Sequence, residues 1–518
     1  MPFRLSVYAQ LLGALAGGLL AAGCVRKNFF QPDARPDAAL AYPLPAAVDS
    51  VRGATAGRQY ARHGRLYQAL VGRHHRRTWA VPVTVPVLSL PQARPGGLVP
   101  GKVGGGFNST SLTLTAANGP AYVLRTVDKD PIRATPNLLR GTFLVNALRD
   151  NVSATHPYGA LVVPPLAAAV GVPAASPRLV YVRPDDPAFQ TDSLRPFRGQ
   201  LAYLEEKVAV LSHQPAGAND YAVSSPSPQA FAAVFARPNQ RIDQLALLRA
   251  RLLDGWLGDW DRHPGQWNWA MTESAATGLT TFAPLPKDRD MVFYRLDDGA
   301  LGWLLGHVLL RHWVTFGPSY RHVPDLASSG RYLDTRGLNQ LTRAQFSTAA
   351  LAMQRQLPDT LLQRALHRLP PTAWAAEGPR LLAALKARRD ALPVLATALY
   401  EHLARRPVVG GTAAAERFEV HRYADSTVVA VYAAQGSAST YRRAFLPAET
   451  RRIQLEGLGG DDIFIIENHS PKKVSKPRLR LYGGLGTDEL RGKAANGSLH
   501  FSQGSAPGKH AYNHLPEE

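Results

Sequence analysis

Two short segments in this 518-residue chain carry side chains of the types and spacing that phosphate chemistry needs. The first is Gly258-Asp259-Trp260-Asp261-Arg262-His263-Pro264-Gly265-Gln266, and around it Trp256, Trp260, Trp267 and Trp269 fall within 14 residues. The second, about 20 residues on, is Lys287-Asp288-Arg289-Asp290, between two apolar strand-like stretches. Phosphoryl transfer asks little covalent chemistry of a protein. It needs a carboxylate oriented on the acceptor hydroxyl, a divalent ion held by a second carboxylate and an amide, and a cation on the phosphates. Asp261 can orient or deprotonate an acceptor. His263 is either its catalytic companion or a hydrogen-bonded structural histidine. Gln266 with Asp288 or Asp290 offers the hard oxygen ligands that Mg²⁺ or Mn²⁺ takes. The alternative is structural: these aspartates and arginines pair in a buried network under a tryptophan-lined core. Asp261 separates the two, because an enzyme needs its carboxylate free in a cleft, whereas a scaffold locks it onto Arg262 or Arg289. A two-metal phosphatase does not fit, since Gly258-Asp259-x-Asp261-Arg262 is one residue short of that signature and no Gly-Asn-His or Gly-His-x-His segment completes it.

Strands and helices must position these groups. From about 100 to 210 strand signals dominate, at Ser111–Thr115, Tyr122–Val127, Leu179–Val182 and Leu201–Leu204, interrupted by a helical stretch from Thr142 to Val170 that ends at Gly171. From about 240 to 405 helices dominate, and Leu245, Leu248, Leu252 and Trp256 keep one face at helical spacing. Strands return from about 415 to 503. The fold class expected is α+β, a β lobe and a helical lobe followed by a small all-β domain.

That last region holds a third group of interest. Gly483-Gly484-Leu485-Gly486-Thr487-Asp488-Glu489-Leu490 fits the Gly-Gly-x-Gly-x-Asp-x-apolar pattern of calcium-binding β-rolls, and Glu456 to Phe464 fits it with Glu456 in place of the first glycine. In such turns glycine allows positive φ, while carbonyls and aspartates chelate Ca²⁺. Asp461, Asp462 and Asp488 are therefore candidate calcium ligands; alternatively the glycines serve turn geometry alone and the aspartates are solvated. The two turns start 27 residues apart, three nonapeptides, with no intermediate repeat. A small sandwich or a rudimentary roll fits both observations.

Composition bounds the rest. With 45% hydrophobic and 19% charged residues the chain is globular, and its length suggests two or three domains. The formal charge of +20 favours anionic partners, yet no block of like charge forms a nucleic-acid arm, so no nucleic acid is expected. The single cysteine forbids an internal disulfide or a CxxC metal site. It stands at Cys24, after Arg4, the short apolar run Leu11 to Ala22 and Gly23, a run too short to span a bilayer as a stable helix.

Four resemblances follow from these residues. Residues 1–24 resemble a bacterial lipoprotein signal, with Ala21 where that box usually carries Leu. This implies lipidation at Cys24, anchoring to the outer membrane and a periplasm-facing chain. Asp261-Arg262-His263-x-x-Gln266 resembles the Asp-Arg-His-x-x-Asn loop of atypical kinases, among them phosphoinositide kinases, bacterial toxin serine kinases and secretory-pathway kinases. That likeness implies a two-lobed kinase-like domain and ATP with Mg²⁺ or Mn²⁺. The glycine loop Gly104-Gly105-Gly106 would precede the strand bearing Arg125, which stands where a kinase lysine would, unless Lys129 takes its place. Asp150 would be a candidate partner for that cation, and Leu201 to Glu206 the hinge between lobes. Gln266 replaces the usual Asn, and Lys-Asp-Arg-Asp replaces Asp-Phe-Gly, so a degenerate, non-catalytic member fits as well. The C-terminal turns are RTX-like. Finally, Tyr122 to Pro131, His156 to Pro165 and the Asp-Trp-Asp-Arg-His loop are similar to the segment that precedes the barrel in phosphatase–outer-membrane-barrel fusion proteins, which implies a barrel partner. The organisation expected is a signal at 1–23, a tether and edge strand at 24–95, a kinase-like domain at 96–408 with its β lobe ending near 210, a β domain at 409–503 and a polar tail at 504–518. The rival reading is a non-enzymatic envelope scaffold with a calcium-stabilised β domain.

Overall fold

The structure, a computed structural model, describes residues 26–40, 44–45, 48–104, 110–116, 121–207, 224–470, 476–492, 498–507 and 513–514. Cys24 and its signal, and Gly105 and Gly106 of the glycine loop, lie outside them. Among the described residues no helix is long and apolar enough to cross a membrane.

Residues read as a tether from their Ala, Pro and Arg content are packed instead. Tyr60 and Trp79 are fully buried with ring centroids 4.9 Å apart. β1 (Ser50–Ala54) pairs antiparallel with β2 (Val83–Pro86). Two aromatics and a two-stranded ribbon bury enough apolar surface to fix a segment whose composition alone reads as linker.

A five-stranded antiparallel sheet follows, from β3 (Val99–Gly104), β4 (Ser111–Thr115), β5 (Tyr122–Thr126), β6 (Arg178–Tyr181) and β7 (Leu201–Glu206), in the order β3-β4-β5-β7-β6. The alternation in Ser111–Thr115 puts Leu112 and Leu114 on one face, both fully buried against Leu124, Phe189 and Phe197. Ser111 is paired with both Gly104 and Arg125, so Gly104 sits at the Arg125 end of the sheet. Between β5 and β6 run α1 (Phe143–Asn151), N-capped by the Thr142 hydroxyl, and α2 (Val163–Ala169), after which Gly171 turns the chain at φ +67°.

The helical region contains α3 (Ser227–Ala236), α4 (Gln244–Leu257), α5 (Arg343–Gln356), α6 (Asp359–Leu366), α7 (Pro371–Asp390) and α8 (Leu392–Ala404). α4 starts at the Asp243 cap and stops at Gly258, left-handed at φ +71°. Leu248, Leu252 and Trp256 are fully buried, as their spacing predicts; Leu245 on the first turn is exposed. Beyond α4 a small sheet in the order β8-β10-β11-β9 joins β8 (Ser224–Pro226), β9 (Gln240–Ile242), β10 (Trp267–Glu273) and β11 (Thr280–Pro286). The β10–β11 hairpin pairs Trp267 with Pro286, which holds the two chemistry-bearing loops at one end.

The C-terminal strands form a roll. β12 (Val408–Gly410), β16 (Arg452–Gly459), β18 (Arg478–Leu485) and β20 (Leu499–Ser502) make one parallel sheet. β13 (Glu416–Arg422), β17 (Ile463–Asn468) and β19 (Glu489–Gly492) run parallel in the other, with β14 (Thr427–Ala433) and β15 (Ser439–Phe445) added antiparallel at the β13 edge. Phe418, Val420, Leu455, Phe464 and Leu481 fill the space between. Each coil crosses from one sheet to the other through a glycine-rich turn. The turns stack directly, 26 residues apart, and Asp462 answers Asp488, so the 27-residue nonapeptide spacing is corrected by one position. Gly486 must be glycine, because at φ +126° a Cβ would sit 2.1 Å from the Gly460 carbonyl.

Asp462 and Asp488 of this stack are buried, not solvated, and belong to a ladder, whereas Asp461 is exposed. Asp462 Oδ1 accepts the Glu416 amide at 2.8 Å, Asp488 Oδ1 accepts the Asp462 amide at 3.0 Å, and Gln503 Oε1 accepts the Asp488 amide at 3.0 Å. Asp461 accepts the Thr487 amide at 2.8 Å. Each of these bonds to Asp462 and Asp488 takes the Oδ1 atom alone, and the Oδ2 atoms of both carboxyls are buried without a hydrogen-bond partner among the described residues. Burial pushes the Asp462 carboxyl up to about 8, and Glu416 beside it up to about 7, with Asp488 also raised. An unfolded aspartate releases its proton near pH 4, so the unfolded chain binds fewer protons than the roll between there and pH 8, and stability must fall as pH rises through that window. Asp462→Asn keeps the acceptor oxygen and removes the ionisation. Thermal unfolding at pH 5 and pH 8 should show the variant gaining on the parent at the higher pH; equal behaviour at both would show that Asp462 is not held neutral.

Candidate functional site

The loop after α4 is set by a buried ion network. Asp254, on the last turn of α4, accepts from Arg251 at 2.8 Å and from Arg289, and lies 3.4 Å from Arg262; Arg289 also reaches Asp259 at 3.1 Å, and Arg251 reaches Asp334 at 2.7 Å. All six side chains are buried. Burial alone would raise the Asp254 carboxyl, but Arg289, Arg262 and Arg251 outweigh it and hold it low. The structural alternative is thus realised, on Asp254 and Asp259.

Asp261 is outside that network. Among the described residues its carboxylate has no ion pair and no hydrogen bond, and its side of the loop is partly open. Burial pushes its carboxyl up and the nearby Asp288 charge adds to this, against His263, Arg262 and Lys129. Arg262 meanwhile packs over Trp267 at 4.7 Å and donates to the Lys287 and Asp288 carbonyls at 2.7 and 2.9 Å. One arginine therefore couples the Asp261 loop to the acidic turn, and it clamps Asp288 in a left-handed conformation at φ +52°.

The acidic turn faces the β lobe across a narrow cleft with a cavity volume of about 40 Å³, lined also by Val127, His156, Pro157 and Tyr203. Arg125 on β5 pairs with Asp288 at 2.6 Å and with Glu205 on β7 at 2.7 Å, while Lys129, just past the strand, pairs with Asp290. Both candidate phosphate cations are thus brought to the two candidate metal carboxylates. Burial would raise Asp288, but Arg125 with Lys129 holds it at about 2; Asp290 is raised by burial and by Asp288. Gln266 accepts the Lys287 amide on its carbonyl at 2.8 Å, one residue from Asp288. His263 turns its Nδ1 onto the Gly265 amide at 3.1 Å and caps the short turn 264–266.

One partner was not legible in sequence. Glu205 reaches Arg125 because β5 pairs with β7 in a register that sets Arg125 opposite Tyr203, leaving Glu205 on the same face two residues along. Asp150 does not meet Arg125 or Lys129; it takes a bidentate pair from Arg76 at 2.6 Å, with His63 and Tyr67 at 2.8 Å. Behind the cleft, His75 bridges Glu377 at 2.9 Å and the Phe293 carbonyl at 2.8 Å, and His156 is buried beside it, held neutral by burial and the neighbouring His75.

No protein-family model matches this chain, and no curated protein does. Solved structures similar to it include the proinflammatory kinase CtkA of Helicobacter pylori, at 10% identity and a TM-score of 0.29 over 56% of this chain and 93% of that one. Another is the Rio2 kinase in its ADP/Mg²⁺-phosphoaspartate complex from Chaetomium thermophilum, at 14% identity and a TM-score of 0.25 over 63% of this chain and 83% of that one. Scores this low place no residue of one protein on another.

Proposed function

We propose that the cleft between the five-stranded sheet and the helical region binds a nucleoside triphosphate with Mg²⁺ or Mn²⁺ and transfers its phosphate in an atypical kinase-like reaction. The observation that carries this is the freedom of Asp261: Arg262 and Arg289 are spent on Asp254 and Asp259, and among the described residues of the site Asp261 is the carboxylate without an ion pair or hydrogen bond, close to the Asp288 charge. Asp261 would orient the acceptor hydroxyl and take its proton, which a raised carboxyl suits. Asp288, Asp290 and Gln266 would hold the ion, and two carboxylates with an amide oxygen are the donor set such ions prefer. The ion would neutralise charge on the phosphates. Arg125 and Lys129, freed from the carboxylates, would bind phosphate oxygens, and Arg262 would keep the two loops in register. His263 shapes the loop through its cap.

A second reading is favoured by one observation. Both metal carboxylates are already paired with cations, as in a binding-only, degenerate lobe of an envelope scaffold. Cys24 would anchor either form to the outer membrane, facing the periplasm, with a barrel protein as partner. That part of the proposal is supported by the signal-like N-terminus and the basic surface.

Thermal unfolding with and without ATP and Mg²⁺ or Mn²⁺ separates binding from none. A ligand at a hundredfold excess over its dissociation constant adds about 2.7 kcal/mol to native-state stability. The shift should require the ion and vanish in Asp290→Ala. No shift with any nucleotide would sink the proposal.

A further inference from the structure

His421, Glu467 and His469 meet on the solvent face of the roll, far from the cleft in sequence. Parallel pairing of β13 with β17 sets His421 opposite Glu467, and the His469 amide continues the ladder by donating to the Arg422 carbonyl at 2.9 Å. Three ligand atoms then converge. His421 Nδ1 lies 3.1 Å from His469 Nε2 and 3.0 Å from Glu467 Oε2, and His469 Nε2 lies 3.3 Å from the same oxygen. Ligands about 2.0–2.1 Å from a tetrahedral zinc ion stand roughly 3.3 Å apart. The triangle in the protein has nearly that size.

Two further features suit a metal better than a chance contact. The other nitrogen of His421 has the Glu419 carboxylate 3.5 Å away, itself held by Arg417 at 2.8 Å. A carboxylate behind a ligating histidine fixes its tautomer and raises its basicity. The ring planes are also set: His421 stacks on His469 at 5.3 Å, and His469 on Tyr423 at 5.0 Å. The buried cluster of His75, His156 and Glu377 is less suited, since Glu377 already receives His75, Thr78 and Arg380.

We propose that His421, Glu467 and His469 form an open site for a divalent transition ion, zinc by its two imidazoles and one carboxylate, with a fourth position facing solvent. The three side chains are 26%, 50% and 41% exposed, so an ion or a further ligand can reach them. Nothing in this site depends on the cleft.

The test is calorimetric titration of the metal-stripped full chain with zinc chloride. Parallel titrations use His469→Ala, Glu467→Gln, and the controls His156→Ala and Asp290→Ala. The parent and both controls should bind a tight equivalent that weakens at least a hundredfold in His469→Ala and in Glu467→Gln, with unfolding midpoints unchanged. Cobalt substituted for zinc should give the intense visible bands of a four-coordinate ion. The proposal is overturned if the parent takes up no zinc, if His469→Ala binds as the parent does, or if His156→Ala or Asp290→Ala removes the equivalent.

Discussion

Asp254→Ala is expected to destabilise the helical region by about 3–5 kcal/mol, the cost of removing one partner from a buried ion pair. Asp254 is 1% exposed and faces the guanidiniums of Arg251, Arg262 and Arg289. Without it three buried cations share Asp259 and Asp334, and desolvation of the uncompensated charge dominates. Trp256, Trp267 and Trp269 are fully buried around this network, so tryptophan emission during denaturant unfolding reports the change. A midpoint within about 0.5 kcal/mol of the parent would class Asp254 with ordinary surface positions.

Asp261→Asn should behave in the opposite way. Its carboxylate supports no partner, so the fold should stay within about 0.5 kcal/mol of the parent. Phosphate transfer should fall by about 10²–10⁴-fold, the usual worth of a positioned base. Because burial raises this carboxyl, the parent's rate should climb as pH rises above the ordinary carboxylate range, and the variant should lose that limb. A rate profile against pH, with unfolding midpoints alongside, checks both parts. Equal turnover in parent and variant would remove Asp261 from the chemistry.

These two aspartates show what was legible in the sequence. The Asp261 loop and the Asp288–Asp290 turn were visible because their chemistry is written in a few contiguous residues, and the apolar stretch before the turn read as strand-like. The separation of Asp254 and Asp259 from Asp261 was not. Asp254 sits on a helix with Arg251 one turn away, a spacing that reads equally as a solvated surface pair. Only packing against Arg262 and Arg289, brought from two loops, makes it interior. Glu205 and the His421–Glu467–His469 triangle were hidden for a related reason: strand pairing joins residues tens of positions apart. The Gly-Asp turns were legible as turns. Their stacking was not, because one coil is 26 residues and no nonapeptide period survives between them. The packed segment around Tyr60 and Trp79 was misread because linker-like composition masked two buried rings.

The most direct test of the cleft is a crystal grown with Mn²⁺ and a non-hydrolysable ATP analogue, read by anomalous scattering. The proposed function predicts a manganese peak between Asp288 and Asp290, with Arg125 and Lys129 moved off those carboxylates onto phosphate and Asp261 still unpaired. A cleft that keeps its Arg125–Asp288 and Lys129–Asp290 pairs, with no peak between the carboxylates, would contradict it.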